Sequence, residues 1–320
     1  MNKMKKIGLS ALAGSLVAMS ATAGEMSVSG GTAIYLGNSG ANTKATYAMD
    51  NHVTFSGTTE LDNGLNITYS VEFDGDEGDD TGSLDSNSIK IETDGMGTIV
   101  YAGHGGSSAM SMMDDKTPTA YEEAWDGLDT ATTSVVVING YSGNDMITYT
   151  SESFSGAVFT VAWIPGEATA ATGNKSTYID YGVTISPEMV EGLELGYAAG
   201  TTEITADSEV DESTMYATYA IGGLTIGYQS SEYDAATASA SDDSTALGIS
   251  YAVNDNLSIS YNEHTVDVGS SATDQEADGF SVSYTMGGLT LAGHSNEMSA
   301  VNGVSGTDDE GYEIKLGFAF

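Results

Sequence analysis

The chain of 320 residues has no cysteine, no arginine, only 3 prolines, and no long apolar run after its N-terminal segment. Without cysteine it forms no disulfide and uses no thiolate chemistry. Without a further apolar run of about 18 residues, the rest of the chain offers no candidate membrane helix. The chain has 8 basic residues, all lysines, and 46 acidic residues, so it should repel nucleic acid and attract cations. Its 40% hydrophobic content and 18 tyrosines argue against disorder.

The N-terminal segment predicts export. Lys3, Lys5 and Lys6 form a basic stretch, and an apolar stretch follows from about residue 7 to residue 19. Small residues at 21–23 then provide a cleavage site before Gly24. The apolar stretch is too short, and too rich in glycine, serine and alanine, for a membrane helix. We therefore predict a signal peptide at 1–23 and a single mature domain over 24–320.

The segment 311–320 has the clearest pattern in the chain. Alternate side chains of an extended strand point to opposite faces. One face is wholly apolar, and it consists of Tyr312, Ile314, Leu316, Phe318 and Phe320. The other face is polar or small, and it consists of Glu313, Lys315, Gly317 and Ala319. This pattern predicts that Phe320 ends the closing strand of an outer-membrane β-barrel, with hydrocarbon outside and water inside.

The same alternation recurs along the mature chain, in short stretches separated by turn residues. Seven short turns are predicted at 61–64, 94–97, 153–156, 187–192, 221–223, 254–256 and 286–288. Eight longer, acidic loops are predicted at about 38–48, 74–86, 104–143, 165–175, 201–212, 233–242, 267–275 and 298–308. These fifteen connections join sixteen strands. They predict an all-β, sixteen-stranded antiparallel transmembrane barrel, with short turns and both termini at the periplasmic rim and long external loops.

Two soluble alternatives share part of this pattern, namely a β-sandwich and an acidic protein of a saline habitat. A sandwich of this length needs a broad shared core, whereas nearly every strand here has one apolar and one small polar face. Tyrosine also recurs at the ends of the apolar stretches, as in the aromatic girdles at membrane interfaces. The barrel is therefore the better interpretation.

Several segments resemble hairpins of the general porins of Gram-negative outer membranes, most closely those of alphaproteobacteria. They are 97–104, 144–163, 181–200, 251–261 and the final strand, in that order. The resemblance implies a homotrimer of water-filled barrels, through which small hydrophilic solutes and ions diffuse passively. It also implies that the third loop, here about 104–143, folds into the barrel and narrows it.

That third loop carries the residues expected at the pore constriction, which are Asp114, Asp115, Glu122, Glu123 and Asp126. The alternative is that they belong to a solvated surface loop. Many porins oppose the loop with a cluster of arginines, which this chain lacks. Lys90 and Lys315 should point into the lumen as a reduced basic wall, or each balances a neighbouring acid. Because acidic rings favour cations, we expect a cation-selective pore.

Other chemistry has weaker support. Asp74, Asp76, Asp79 and Asp80 lie in a glycine-containing acidic stretch that could hold calcium, although an unliganded loop is the simpler interpretation. No nucleophile elbow or zinc-binding helix is present, so we expect neither a catalytic residue nor a cofactor. A closed-lumen structural or adhesive barrel with ligand-binding loops remains the alternative function. The expected partners are small hydrophilic solutes, cations, membrane lipid and lipopolysaccharide, and not nucleic acid.

Overall fold

Alternation of β-branched or aromatic residues with small polar ones favours strands, and strands dominate the structure. The computed structural model describes residues 24–38, 44–75, 83–126, 128, 142–166, 177–205, 208–235, 241–269 and 271–320. The predicted signal peptide at 1–23 lies outside these residues. The sixteen barrel strands are β1 (Met26–Asn38), β2 (Thr46–Glu60), β3 (Asn66–Asp74), β4 (Ser83–Thr93), β5 (Gly97–His104), β6 (Met146–Thr150), β7 (Ala157–Ile164), β8 (Thr177–Ile185), β9 (Leu193–Thr205), β10 (Ser208–Ile221), β11 (Leu224–Asp234), β12 (Asp242–Ala252), β13 (Leu257–Val268), β14 (Gln275–Met286), β15 (Leu289–Ser299) and β16 (Asp309–Ala319).

The sixteen strands form one closed antiparallel barrel, as predicted. Each strand pairs with its neighbours in the sequence, and β1 pairs with β16 to close the ring. The closing register runs from Gly31 opposite Ala319 to Asn38 opposite Tyr312. Beyond it, Gly30 N donates to Phe320 O at 3.1 Å, and Phe320 N donates to Gly30 O at 3.0 Å. The backbone of Phe320 thus extends the seam by one more residue.

The outer face of the barrel is apolar. On β16 it presents Tyr312, Ile314 and Phe318, each at least 39% exposed. Outward tyrosines recur around the wall, and they include Tyr69, Tyr101, Tyr149, Tyr181, Tyr197, Tyr228, Tyr251, Tyr261 and Tyr284. In the described part of the chain, no helix has the length and apolar character needed to cross a membrane. The inner face carries mainly small and polar side chains.

Short and long connections alternate around the barrel, also as predicted. In the first short turn, Gly64 has a φ of 82°, a conformation that favours glycine. One predicted loop is wrong: most of 201–212 belongs to β9 and β10, which leave only 206–207 between them. Threonines at 201 and 202 and Val210 favour extended backbone, and this preference outweighs the acidic residues around them.

The alternation can be tested with arginine placed on either face. Ile249 is 42% exposed on the outer face of β12, whereas Ser70 lies on the inner face of β3, hydrogen-bonded to Ser56 across the strands. We expect Ile249→Arg to lower the free energy of unfolding by about 2–4 kcal/mol, because arginine near the bilayer midplane loses its hydration. Ser70→Arg should have little effect, because its side chain remains in water. Urea unfolding in liposomes measures both, and equal losses would contradict the assigned faces.

Candidate pore constriction

The longest connection, 105–145, turns inward directly after β5. Gly105, with a φ of 65°, makes the turn, and a two-residue ladder then pairs Gly106–Ser107 with Ser142–Gly143. Thr148 of β6 donates from Oγ1 to Ser107 O at 2.9 Å. These contacts hold the two ends of the segment together. We call the whole segment 105–145 the constriction loop. The structure describes 105–126, 128 and 142–145 of it.

A single short turn directs the next part of the constriction loop along the inner wall. Ser108 N donates to Ser111 Oγ at 2.7 Å, and Ser111 N donates to Ser108 Oγ at 3.1 Å. This reciprocal pair precedes and supports a 3₁₀ helix at Ser111–Met113. Serine side chains commonly satisfy the free N–H groups at such a helix start. The loop then follows the wall for about half of its circumference.

Polar side chains of the wall hold the first half of this path by its main chain. Gln229 Oε1 accepts from Lys116 N at 2.9 Å, and its Nε2 donates to Met113 O at 2.6 Å. Asn262 Nδ2 donates to Pro118 O at 3.2 Å. Each bond satisfies a loop group that has left bulk water, so each stabilises the docked position.

The second half is held in the same way. Ser260 Oγ accepts from Ala120 N at 2.9 Å, and Ser281 Oγ accepts from Tyr121 N at 3.1 Å. Asn296 Nδ2 donates to the carbonyl oxygens of both Glu123 and Asp126, at 2.8 Å in each case. Wall residues on β11, β13, β14 and β15 therefore fix the loop backbone from residue 113 to residue 126.

Glycines on the wall make room for this path. A Cβ at Gly227 would lie 2.5 Å from Pro118 Cδ, and a Cβ at Gly248 would lie 2.9 Å from Pro118 O. A Cβ at Gly182 would lie 2.9 Å from Met113 Cε. Side chains at Gly227 and Gly248, on β11 and β12, would push the loop into the lumen, whereas a side chain at Gly182 on β8 would require only the flexible end of Met113 to move. The wall is therefore shaped for the loop as well as bonded to it.

Apolar contacts anchor the loop on both sides of its acidic stretch. Met110 and Met113 pack against Ala198 and Tyr216 of the wall. Further along, Ala124 and Leu128 pack against Ala277 and Met298, and Trp125 lies against His264 with ring centroids 4.5 Å apart. Burial of these side chains favours the docked loop. The acidic residues between the two clusters are thereby held at the inner wall.

The five predicted constriction acids lie on this loop, between or beside the two clusters. Burial raises the pKa of Asp114, and it raises the pKa of Asp115 to about 7, with repulsion from Asp114 and Asp126 as a further cause. Burial and the Asp126 charge raise the pKa of Glu122 to about 7. Burial and a hydrogen bond with Asp126 raise the pKa of Glu123 to about 9. Crowding of carboxylates near a low-dielectric wall produces such shifts.

The two predicted lumenal lysines are both engaged. Lys315 Nζ lies 5.2 Å from the ring centroid of Tyr35 and 5.5 Å from that of Tyr121, a cation–π geometry. Tyr121 OH donates to Glu313 Oε1 at 2.6 Å, on the same face as Lys315. Lys90 Nζ lies 3.0 Å from Glu92 Oε1. Each lysine therefore has an acidic residue beside it.

The wall opposite the loop is acidic as well. The strand pairing shows which residues share the inner face here. Lys315 of β16 lies opposite Tyr35 of β1, and Ala33 of β1 lies opposite Asp50 of β2. On β3, Glu72 lies on this face and accepts a hydrogen bond from Thr54 Oγ1. Lysine 90 shares the face, next to Glu92. Carboxylates of Asp50 and Glu72 thus line this part of the wall, and Lys90 and Glu92 lie further along β4, toward its short turn.

One group of these acids is spaced closely enough for a cation. One carboxylate oxygen from each of Glu122, Glu123 and Asp126 lies within 4.8 Å of the others. Oxygen ligands of this kind suit hard cations such as calcium. Calcium was predicted at a different place: of those residues, Asp76, Asp79 and Asp80 lie outside the described part of the chain, and Asp74 ends β3. Calcium binding at that stretch stays a prediction.

The wall residues that bond the loop were not predicted from sequence. Asp180, Gln229, Asn262 and Asn296 are among the larger polar residues on inner faces composed mostly of glycine, alanine, serine and threonine. Their size could have identified them, because a wall lined only by water does not require large polar side chains that are buried. Their partners lie 70 or more residues away in the sequence, so no local pattern could pair them.

Comparison with known proteins identifies the family. A model of the Gram-negative porin family matches residues 8–275. The chain belongs to this family. Its members are outer-membrane channels rather than enzymes, so the sixteen strands are transmembrane strands of a porin barrel. No curated protein matches the chain.

Solved porin structures share the fold at low sequence identity. A triple mutant of the Rhodopseudomonas blastica porin is 15% identical, with a TM-score of 0.67, over 92% of this chain and 100% of that chain. The anion-selective porin from Comamonas acidovorans is 14% identical, with a TM-score of 0.71, over 92% of this chain and 99% of that chain. At such identity the likeness shows the fold, and the charge of the lumen must be taken from this chain alone.

The raised pKa values predict a pore that responds to pH near neutrality. Asp115 and Glu122 should be neutral at about pH 5 and ionise as the pH rises through about 7, and Glu123 should follow near 9. We therefore expect the preference for K⁺ over Cl⁻ to increase between about pH 5 and pH 10. Reversal potentials in a KCl gradient across a planar bilayer measure it.

The matched variant for this titration is Glu122→Gln with Glu123→Gln. It should flatten the upper part of the pH profile, because only Asp114, Asp115 and Asp126 of the loop acids remain. A native profile that changes only near pH 4, where ordinary carboxyl groups titrate, would contradict the raised pKa values.

Proposed function

We propose that this porin is a channel for passive diffusion of small hydrophilic solutes and ions, with cations preferred. The observation that supports the proposal is the acidic loop bonded to the inner wall, which carries Asp114, Asp115, Glu122, Glu123 and Asp126. Acidic rings favour cations, and a low-dielectric wall concentrates their field in a narrow channel. A related barrel is described as anion-selective. The fold therefore leaves the preferred ion open, and the lumenal charges set it.

The wall opposite the constriction loop also carries negative charge, which supports a preference for cations. Asp50 and Glu72 lie there, and the two lumenal lysines each have an acidic neighbour. A wall of unpaired basic residues would instead have opposed the loop and reduced the cation preference. Salt should weaken the preference, because the screening length falls from about 30 Å at 0.01 M to about 3 Å at 1 M ionic strength.

Neutralising the loop tests the proposal. At about pH 10, where these carboxyl groups are ionised, we expect the combined variant Asp114→Asn, Asp115→Asn, Glu122→Gln and Glu123→Gln to shift the K⁺/Cl⁻ reversal potential toward zero, because four of the five acidic charges on the loop are removed. Single-channel recording in a KCl gradient at low salt measures this shift. An unchanged reversal potential would refute the constriction assignment.

An outer-face variant provides the matched control. Glu263, Asp278, Glu297 and Glu310 are consecutive Cα partners on four adjacent strands, and all four lie on the outer face. Neutralising them removes the same number of charges from the chain without changing the lumen. The reversal potential should then stay at its native value. An equal shift in both variants would show that overall charge, not the constriction, sets the selectivity.

The assembly proposed for the membrane is a homotrimer, which membership of the porin family supports. Native mass spectrometry of the detergent-solubilised protein should find three copies per particle, since trimeric porins leave the membrane as intact units. A particle with a single copy under mild detergent would contradict the trimer. The diffusion function would still stand, because each barrel encloses its own lumen.

A further inference from the structure

One carboxylate of the wall is fully buried and contacts the constriction loop before its acidic stretch begins. Asp180 lies on the inner face of β8 and is 0% exposed. Its Oδ2 accepts from the main-chain N–H of Met110 at 2.7 Å and from Tyr178 OH at 3.0 Å. Its Oδ1 accepts from the main-chain N–H of Ala162, on the neighbouring strand, at 3.1 Å. One side chain thus joins β7, β8 and the loop.

The environment shows why this arrangement is specific. A buried charge is very unfavourable unless hydrogen bonds compensate for its lost hydration, and here three donors converge on two oxygens. In return, the carboxylate fixes Met110 immediately before the 3₁₀ helix at Ser111–Met113. Asp114 follows directly after this helix, so the position of Met110 sets where the acidic stretch starts.

The other loop contacts differ from this one in kind. The wall groups that bond the loop main chain at residues 113–126 are neutral amides and hydroxyls, and the wall carboxylate of Glu313 accepts only from the side chain of Tyr121. Hydrogen bonds to a charged acceptor are about twice as strong as neutral ones. Asp180 has no exposed surface through which to meet permeating ions. Its part in permeation must therefore be exerted through the loop.

We propose that Asp180 is the positioning residue of the channel: it holds the constriction loop against the wall and so keeps the acidic stretch at the lumen. The steadiness of the current and the ion preference then depend on a carboxylate that no permeating ion touches. The loss of Asp180 leaves the N–H of Met110 buried without an acceptor. The loop then exchanges between docked and displaced positions.

Asp180→Ala and Asp180→Asn test this directly in the full-length protein reconstituted in planar bilayers. We expect a several-fold increase in open-channel noise, with transitions to sub-conductance states that the native channel lacks. The asparagine variant should show the smaller effect, because it keeps one acceptor oxygen. Native-like noise in both variants would overturn the proposal. If the alanine variant fails to assemble, the asparagine variant carries the test.

A disulfide separates positioning from charge. The chain has no cysteine, and a Cβ at Gly182 would lie 3.2 Å from Ala109 Cβ, so a disulfide, which needs about 3.5–4.5 Å between its two Cβ atoms, requires them to separate by only a few tenths of an ångström. Ala109→Cys with Gly182→Cys therefore gives a reversible bond between the loop and β8. In the Asp180→Ala background, oxidation with diamide should restore quiet current and the native reversal potential, and dithiothreitol should reverse this.

The rescue is decisive because the disulfide restores the position of the loop without restoring the carboxylate of Asp180. If the oxidised variant stays noisy, Asp180 does not act by positioning the loop. If the current becomes quiet but the reversal potential stays shifted, the Asp180 charge itself contributes to selectivity, and the proposal fails in that respect. In the native background, the same cysteine pair should cross-link readily and leave the conductance unchanged.

A second carboxylate serves as the matched control. Asp211 lies on the outer face of β10 and accepts from Thr201 Oγ1 at 2.6 Å, without contact with the loop. Asp211→Ala should leave the noise and the selectivity at native values. The inference rests on the proposed channel function, but not on whether the channel prefers cations or anions. A native channel without cation preference would refute the proposed selectivity, and the noise of the Asp180 variants would still test positioning.

Discussion

The closure of the sheet is the constraint on which the rest of this structure depends. Hydrocarbon offers no hydrogen-bond partner, so every strand of a membrane-spanning sheet must pair on both sides. Sixteen strands meet that demand only because β1 pairs with β16. Closure then fixes which side chains face lipid and which face water. It also creates an interior wide enough to admit a loop of the same chain.

The loop inside the barrel is a polar segment that must be held in place although it is surrounded by water. Water competes for every hydrogen bond, so the net gain from each bond is small. The wall therefore combines several means: buried amides at Gln229, Asn262 and Asn296, a charged acceptor at Asp180, and glycines where the loop passes closest. Two apolar clusters complete the attachment. The carboxylates between them are crowded, and their raised pKa values are the electrostatic consequence of that attachment.

The fold was largely predictable, because strand faces and turn residues are local features. The alternation in 311–320 and turns such as Asn63–Gly64 depend only on neighbours in the sequence. The error at 201–212 has the same origin, since acidity suggested a loop where threonine and valine extend two strands. The attachment of the loop was not predictable in this way. Asp180 and Met110, or Asn296 and Glu123, meet only after closure, and no spacing in the sequence relates them.

The seam between β1 and β16 has a consequence for biogenesis. Every other ladder of the barrel joins strands that follow each other in the chain, whereas this one joins strands separated by the other fourteen. Such a distant contact is slow to form, and until it forms both edge strands present unpaired backbone groups. The sheet must therefore stay open, with two unpaired edges, until these two strands meet. The last pairings to form, from Gly30 with Phe320 upward, turn that sheet into a sealed pore.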